Sequence, residues 1–182
     1  MIIGLAGRIG CRKSTVAEYL EKKHFYHRHR MADPLKNMLR TLGLCEREIE
    51  GDWKQTPRHL LGGKTPRFAM QTLGTEWGRE MISPDSWTNA WEENHPYGDV
   101  VCEDVRFANE ADAVRSVGGI VVRILRGEDD EAILHPSELM DFKADFIVVN
   151  HDTIDNLCAQ VMSIIDHVQS GAHTETFGSL RG

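Results

Sequence analysis

The sequence predicts an α/β fold built on a central parallel sheet, and three observations support this prediction. Short runs rich in β-branched residues alternate with longer amphipathic stretches. A glycine-rich turn follows the first apolar run and leads into a helix-like stretch. The chain has 182 residues, the size of one domain that can bury a core. We therefore expect a single domain over 1–170, followed by a loose tail over 171–182 that lacks apolar periodicity.

The predicted elements follow this alternation along the chain. The predicted strands are Ile2–Ala6, Phe25–His29, Val100–Glu103, Ile120–Leu125 and Phe146–Val149. The predicted helices are Ser14–Lys23, Pro34–Leu42, Arg67–Arg79, Asp85–Asn94, Glu110–Val117 and Thr153–Gln169. Parallel strands need crossover connections, which the helices between them supply. The three helices of the middle section, interrupted by a turn-rich stretch over 51–66, predict a helical insertion over the sheet.

Composition and charge exclude several classes of function. The net charge of −7 disfavours broad binding to nucleic-acid backbones but permits a local arginine pocket for a small anion. Cys11, Cys45, Cys102 and Cys158 form no C-x-x-C pair, so we expect free thiols in a reducing compartment. No stretch approaches the roughly 20 apolar residues of a membrane span, and Met1–Ala6 is too short for a secretory segment. We expect a cytoplasmic monomer or homodimer that binds small molecules, without membrane or nucleic-acid partners.

The turn after the first strand has the pattern of a phosphate-binding P-loop. In such loops, backbone N–H groups cradle the phosphates, a lysine adds charge at the β- and γ-phosphates, and a hydroxyl holds magnesium. Lys13 and Ser14 occupy the last two positions. The predicted nucleotide-binding residues of the loop are Gly7, Gly10, Cys11, Arg12, Lys13, Ser14 and Thr15. The alternative is an ordinary strand–turn–helix in which the glycines only shape the turn and Lys13 is solvated.

Arg12 is the one departure from the P-loop pattern, because a glycine usually stands before the lysine. A glycine there allows a positive φ, which costs a residue with a side chain roughly 1–2 kcal/mol. Arg12 is therefore expected to strain the loop. A guanidinium beside a polyphosphate also forms charge-assisted hydrogen bonds that recover part of this cost. Both interpretations of Arg12 stay open at the level of sequence.

Acidic residues and an arginine come at the carboxyl end of the predicted strand Val100–Glu103. Ligands of open α/β sheets bind at this edge. Asp104 is expected to hold magnesium or its water shell, with Glu103 as the alternative, and Arg106 is expected to face a phosphate. Two purely structural alternatives remain. Asp104 pairs with Arg106, or Asp104 caps the helix beginning near Asn109.

The middle section carries several cations close to glycines. They are Lys36, Arg58, Lys64, Arg67 and Arg79. Charges on surface helices usually form a solvated face, but the neighbouring glycines favour a pocket for an anion. Gln71 is suited to hydrogen-bond a base. Trp87 and Trp91 are four residues apart, a spacing typical of core packing.

Several motifs in a fixed order resemble the bacteriophage deoxynucleoside monophosphate kinases, a branch of the P-loop kinases related to adenylate kinase. The motifs are Gly7–Thr15, Met31–Lys36, Pro57–Arg67, Gln71–Glu76, Asp104–Phe107, Asn109-Glu110 and His135–Glu138. The resemblance extends from Ile2 to about Val161. It implies a P-loop kinase-like three-layer fold with a central parallel sheet, a monophosphate-binding helical insertion over 31–95, and a short lid over 126–138.

The resemblance also implies an activity, namely transfer of the γ-phosphoryl group of ATP, with Mg²⁺, to a deoxynucleoside monophosphate. The residues implied to carry the reaction are Lys13, Arg79, Asp104 and Arg106, with Ser14 and Asp104 at the metal. The residues implied to bind the acceptor are Asp33, Lys36, Arg67, Gln71, Arg79 and Arg106. Arg123 and Arg126 lie at the mouth of the lid, where they approach adenine or the transferring phosphoryl group, or are merely solvated. His135 needs no catalytic role, because the attacking phosphate oxygen is already anionic. The segment around it is expected to join the lid to a helix, with Ser137 as the cap.

Two other functions remain open. The first is a nucleotide-binding protein whose turnover is impaired by Arg12. The second is another small-molecule kinase of the dephospho-coenzyme A kinase type. Lys13, Ser14 and Asp104 favour an enzyme over a binding protein, and the Asp104-x-Arg106 element fits the nucleotide kinases better.

Overall fold

The computed structural model describes residues 1–126 and 140–171 and contains one parallel sheet. Its strands are β1 (Ile2–Ala6), β2 (His27–Arg28), β3 (Val100–Val105), β4 (Ile120–Leu125) and β5 (Phe146–Val149). They lie in the order β2-β3-β1-β4-β5, and every neighbouring pair is parallel. The predicted α/β fold with a central parallel sheet is confirmed.

Seven α-helices accompany the sheet in the described part of the chain. They are α1 (Lys13–His24), α2 (Asp33–Leu42), α3 (Glu46–Ile49), α4 (Pro66–Thr72), α5 (Ser86–Asn94), α6 (Ala108–Ser116) and α7 (Ile154–Gln169). A π-helical segment, Leu73–Ile82, continues directly from α4, and two 3₁₀ turns lie at Asp52–Gln55 and His59–Leu61. In the described part of the chain, no helix is long and apolar enough to cross a membrane.

The sheet is the middle of three layers. β1 is buried along its whole length, as its apolar sequence requires. Apolar residues of α1 and α7, such as Leu20 and Val161, pack on one face of the sheet. Trp91 of α5 and Val114 of α6 pack on the other face. The four cysteines are free thiols in the structure, and three of them are buried.

The helices of the middle section form a core of their own. Leu35 and Leu39 of α2 pack with Ile49 of α3 and with Trp87 of α5. The indole N–H of Trp87 donates to the Gly74 carbonyl over 2.8 Å, so this tryptophan has a packing role, as predicted. This second core supports the elements that form one wall of the cleft described below.

Several predicted boundaries are wrong. The helix expected to end at Arg79 continues to Ile82, because the chain changes to π-helical hydrogen bonding at Leu73. Strand β3 runs two residues past Glu103, since Val105 still pairs with Ala6. A strand was predicted over Phe25–His29, but β2 contains only His27 and Arg28.

Helix α3 and the two 3₁₀ turns were not expected from the sequence. Most of the predicted lid and tail, including His135 and Ser137, lie outside the described residues.

Candidate active site

Three residues of the loop between β1 and α1 have positive φ angles, a conformation that is unfavourable for residues with a side chain. Gly7 has a φ of 146°, and a Cβ atom there would lie 2.4 Å from the carbonyl oxygen of Ile124. Gly10 has a φ of 87°. Arg12 has a φ of 78°, and its carbonyl accepts the first hydrogen bonds of α1, from Thr15 and Val16. The expected left-handed conformation of Arg12 is therefore present where the loop enters the helix.

The first turn of α1 is open to an anion. This described helix has neither a side-chain cap nor an acidic residue in its first turn, so its first N–H groups and the helix dipole favour a negative ligand. The Lys13 ammonium folds back over the loop and donates to the carbonyls of Gly7 (2.6 Å) and Arg8 (2.8 Å). The exposed Ser14 hydroxyl stands beside it at the cleft.

A cleft of about 990 Å³ opens at the carboxyl ends of β1 and β3. Its size is at the upper end of the range for small-molecule sites. The basic residues that line it are Arg12, Lys13, Arg30, Lys36, Lys54, Arg67, Arg79, Arg106 and Arg126. The acidic ones are Glu103, Asp104 and Glu110. In a chain of net charge −7, this local excess of positive charge suits a polyanionic ligand.

Asp104 connects β3 with the start of α2. Its two carboxylate oxygens accept hydrogen bonds from the backbone N–H groups of Met31 (2.9 Å) and Ala32 (3.1 Å). Both structural alternatives from the sequence are wrong: Asp104 forms no ion pair with Arg106, both lying in the described part of the chain, and it does not cap α6, which begins at Ala108. The carboxylate lines the cleft, and its oxygens keep lone pairs for a ligand.

Glu103 is a second acid at this edge. It is only 7% exposed and pairs with Arg28 of β2. Its other oxygen, Oε2, is buried and has no hydrogen-bond partner among the described residues. Two neighbouring carboxylates therefore line the cleft. That of Asp104 accepts hydrogen bonds from backbone N–H groups, and that of Glu103 has one oxygen without a hydrogen-bond partner among the described residues.

Glu110 belongs to the Asn109-Glu110 motif, but no role at the site was predicted for it. Its Oε1 pairs with Nη2 of Arg79 at 2.7 Å. Its Oε2 accepts the backbone N–H groups of Arg106 (2.7 Å) and Phe107 (3.2 Å). Burial, reinforced by nearby Asp104, raises the pKa of Glu110 above its usual value. The spacing Phe107-x-x-Glu110 is that of a helix N-cap and its N3 residue, a signal that identifies such a reach-back contact.

A second group of charges surrounds Glu50, and it too was missed. Arg30 and Lys36, both lining the cleft, contact Glu50 Oε1 at 2.7 and 2.9 Å. Burial raises the pKa of Glu50, but Lys36 and Arg30 outweigh that effect and lower the pKa. Arg30 also pairs with Asp33 at 2.8 Å. Glu50 is 14 positions from Lys36 and 20 from Arg30, so no local sequence pattern predicts that the three side chains meet.

The structure brings most of the predicted site residues to the cleft. Those that line it are Gly10, Arg12, Lys13, Ser14, Lys36, Arg67, Gln71, Arg79, Asp104, Arg106 and Arg126. Those that do not are Gly7, Cys11, Thr15, Asp33 and Arg123.

Two of the residues away from the cleft wall have other partners. The Arg123 guanidinium donates to the carbonyls of Met140 (3.1 Å) and Phe142 (2.5 Å), a placement that favours a structural role. Asp33 reaches the cleft only through its pairing with Arg30.

The sheet order, the loop and the flanking helices define the fold of the P-loop kinases. The chain is similar in structure to the shikimate kinase from Aquifex aeolicus, with a TM-score of 0.55 at 13% identity over 94% of this chain and 99% of that one. It also aligns with the dephospho-CoA kinase from Campylobacter jejuni over 94% and 98% of the two chains, at 15% identity and a TM-score of 0.45. The latter likeness is too weak to bear on the substrate.

Sequence similarity narrows this class to a family. The family model described as deoxynucleotide monophosphate kinase matches residues 65–161. A protein of Acanthamoeba polyphaga mimivirus, provisionally named deoxynucleotide monophosphate kinase, is 33% identical over 187 residues, covering 92% of this chain and 97% of that protein. The chain belongs to the deoxynucleotide monophosphate kinase family, as the resemblance of its motifs implied. It is therefore a phosphotransferase with a nucleotide-binding P-loop.

Proposed function

We propose that the protein transfers the γ-phosphoryl group of ATP to a deoxynucleoside monophosphate, giving the diphosphate and ADP. One observation carries the proposal. A single cleft is lined both by the loop that carries Lys13 and by two arginines, Arg79 and Arg106, on other elements. Two separate sets of phosphate-binding groups that face one cavity suit a donor and an acceptor bound together.

On the donor side, the loop amides and the first turn of α1 receive the β- and γ-phosphates of ATP. In the structure the Lys13 ammonium donates hydrogen bonds to two carbonyl groups of the loop. These hydrogen bonds keep the ammonium beside the loop, where the phosphates would bind. Its point charge offsets negative charge that develops during transfer. Arg12, Ser14 and Arg126 also line the cleft, and Arg126 Nη1 would lie 3.4 Å from a Cβ atom on Gly10 of the loop.

Magnesium fits the residues at this site. The ion commonly takes only one or two protein oxygens and completes its shell with water and phosphate oxygens. The Ser14 hydroxyl and the Asp104 carboxylate both face the cleft and supply hard oxygen ligands. We propose that these two residues hold Mg²⁺, directly or through water. A bound ion would supply positive charge that offsets the negative charge of the ATP phosphates.

On the acceptor side, Arg79 and Arg106 hold the monophosphate in line with ATP. The exposed Arg106 guanidinium has no acidic partner in the part of the chain that the structure describes. Arg67, Gln71 and Lys36 line the adjoining wall of the cleft and shape the nucleoside pocket. The acceptor phosphate is already anionic near neutral pH, so transfer needs no general base. Positioning and charge neutralisation are sufficient.

A second candidate function is nucleotide binding with impaired turnover. The observation that favours it is the positive φ of Arg12 at the turn into α1, because a distorted loop misaligns the donor phosphates. Retention of Lys13, Ser14 and Asp104 at the cleft favours the active enzyme.

A coupled ADP-release assay with ATP and Mg²⁺ tests the proposal across a panel of ribo- and deoxynucleoside monophosphates, with dephospho-coenzyme A included. We expect turnover with at least one deoxynucleoside monophosphate, faster than with its ribose counterpart. ATP binding without transfer to any acceptor would favour the second candidate. Turnover with dephospho-coenzyme A alone would contradict both.

A further inference from the structure

Glu110 is a buried carboxylate in the cleft to which the proposed reaction gives no role. It is 3% exposed and lies in the first turn of α6. Its Oε1 holds Arg79 of the π-helical segment, and its Oε2 holds the backbone of Arg106 and Phe107. One carboxylate therefore joins the two elements that carry the proposed acceptor-phosphate arginines.

We propose that Glu110 is a positioning residue for the acceptor phosphate, because its carboxylate fixes the Arg79 guanidinium and the Arg106 backbone relative to each other. This inference rests on the proposed function of the cleft. Glu110 acts through the arginines and does not itself touch the substrate.

The contacts of Arg79 leave it able to bind a phosphate. Arg79 gives Nη2 to Glu110 and packs its guanidinium over the Phe107 ring, 4.4 Å from the ring centre. A guanidinium has five N–H donors, so donors remain for a ligand. An ionised carboxylate in a buried position requires a partner, so Glu110 keeps Arg79 in place before the substrate arrives. A preset donor of this kind needs no rearrangement when charge moves to the acceptor.

The substitution Glu110→Gln separates charge from shape. The amide oxygen still accepts the N–H groups of Arg106 and Phe107, so the start of α6 keeps its hydrogen bonds. The charge that holds Arg79 is lost. Glu110→Asp keeps the charge but shortens its reach by one methylene, and it serves as a second variant if the first folds poorly.

Glu48 offers a matched control. It is 1% exposed, stands at the same N3 position of α3, accepts the Cys45 N–H over 2.7 Å, and pairs with Arg58. Neither Glu48 nor Arg58 lines the cleft. Glu48→Gln therefore removes a comparable buried charge from a residue that does not line the cleft.

The test measures kcat and KM for the monophosphate, ATP affinity by calorimetry, and thermal stability. For Glu110→Gln and Glu110→Asp we expect kcat/KM for the monophosphate to fall at least tenfold below that of Glu48→Gln, while the Kd for ATP stays within twofold of wild type. In an Arg79→Ala background, adding Glu110→Gln is expected to change kcat/KM less than twofold, because the residue acts through Arg79.

Several results would overturn the inference: equal losses for Glu110→Gln and Glu48→Gln, a parallel loss of ATP affinity, or an undiminished effect in the Arg79→Ala background. Calorimetric titration with dAMP, dCMP, dGMP and dTMP tests the positioning role of Glu110 separately from the proposed phosphoryl transfer. If wild type binds a monophosphate without turnover and Glu110→Gln weakens that binding tenfold, the positioning role stands and the proposed reaction fails. If wild type binds none of the four, both fail.

Discussion

At Arg12 the backbone adopts a left-handed conformation, with a φ of 78° and a ψ of 23°. The side chain is exposed at the cleft and has no acidic partner in the described part of the chain. A left-handed conformation costs a residue with a side chain roughly 1–2 kcal/mol. The strain expected from the sequence therefore has a structural basis, while the position of the guanidinium keeps a phosphate contact open.

Replacement of Arg12 by glycine distinguishes these two roles. We expect Arg12→Gly to stabilise the ligand-free protein by up to about 1 kcal/mol, because relief of strain exceeds the greater entropy of an unfolded glycine. ATP affinity is expected to hold or improve. Thermal unfolding and calorimetric titrations at two salt concentrations check this, with Arg12→Lys as the control that keeps both charge and strain. Weaker ATP binding with reduced salt dependence, and no added stability, would show a phosphate contact instead.

Arg106 gives a second prediction for a single side chain. Its guanidinium lines the cleft. Glu110 accepts a hydrogen bond from the backbone N–H of Arg106 and not from its side chain. Arg106→Ala should therefore leave the fold intact and lower kcat with the monophosphate at least tenfold, about 1.4 kcal/mol of transition-state stabilisation. ATP affinity, measured by calorimetry, is expected to change little. An equal loss of ATP affinity would place Arg106 at the donor site.

At the scale of elements, the π-helical segment is held against α5 at one close approach. A Cβ atom on Gly78 would lie 2.5 Å from three atoms of the Trp87 indole ring, whereas one on Gly74 would lie 3.6 Å from its nearest neighbour, in Leu35. The absence of a side chain at Gly78 therefore allows the segment that carries Arg79 to approach Trp87 of α5 closely.

The substitution Gly78→Ala should destabilise the protein by about 1–3 kcal/mol, because the indole ring has to move away from the new methyl group. Gly74→Ala, in the same segment, is the control. The structure has room for a methyl group at Gly74. This substitution should be neutral or stabilise the protein by up to about 1 kcal/mol, since alanine has a higher helix propensity than glycine. Denaturant unfolding of the two variants gives the comparison. Equal stability of both would contradict the packing described for Gly78.

The contact between α6 and the π-helical segment also predicts a pH dependence. Burial, with a contribution from Asp104, raises the pKa of Glu110 above the ordinary value of 4.5. As the pH falls through the raised pKa, Glu110 is protonated and releases Arg79, so kcat/KM for the monophosphate should fall. The folded protein favours the protonated form, so the associated stability is present at low pH and lost as the pH rises through that pKa.

The comparison of wild type with Glu110→Gln isolates this group. The acid limb of the pH profile of kcat/KM should move to lower pH in the variant. Relative to wild type, the variant should gain thermal stability as the pH rises from below the ordinary value of 4.5 through the raised pKa of Glu110, because the wild type must then ionise this buried carboxylate and the variant has none to ionise at this position. Superimposable pH profiles for the two proteins would exclude Glu110 as the titrating group.

At the scale of the whole molecule, the charge is divided unevenly. The chain has a net charge of −7, yet basic side chains outnumber acidic ones at the cleft. This separation attracts a small polyanion to one place while the overall charge repels nucleic acid. The expected absence of nucleic-acid partners, the cytoplasmic location and the oligomeric state remain predictions.

The sequence predicts the sheet and the phosphate loop well, because both depend on local patterns. β1 is a continuous apolar run, and the Gly7–Thr15 motif has a fixed spacing. The π-helical segment was missed because helical periodicity does not distinguish it from the α4 helix that precedes it.

The charge clusters were missed for another reason. Glu110 and Arg79 are separated by 31 positions, and Glu50 and Lys36 by 14. Only the fold brings them together. The same holds for Asp104, whose hydrogen bonds to residues 31 and 32 span more than 70 positions.

The most direct test of the account follows the phosphoryl group itself. With ATP labelled at the γ-phosphate, a deoxynucleoside monophosphate and Mg²⁺, wild type should form the labelled deoxynucleoside diphosphate. Lys13→Ala should form it at less than a tenth of that rate, a loss of more than about 1.4 kcal/mol, with little change in melting temperature, because Lys13 supplies charge at the loop and not a core contact. Label recovered only as inorganic phosphate, or a Lys13→Ala protein that keeps more than a tenth of the wild-type rate, would contradict the central claim.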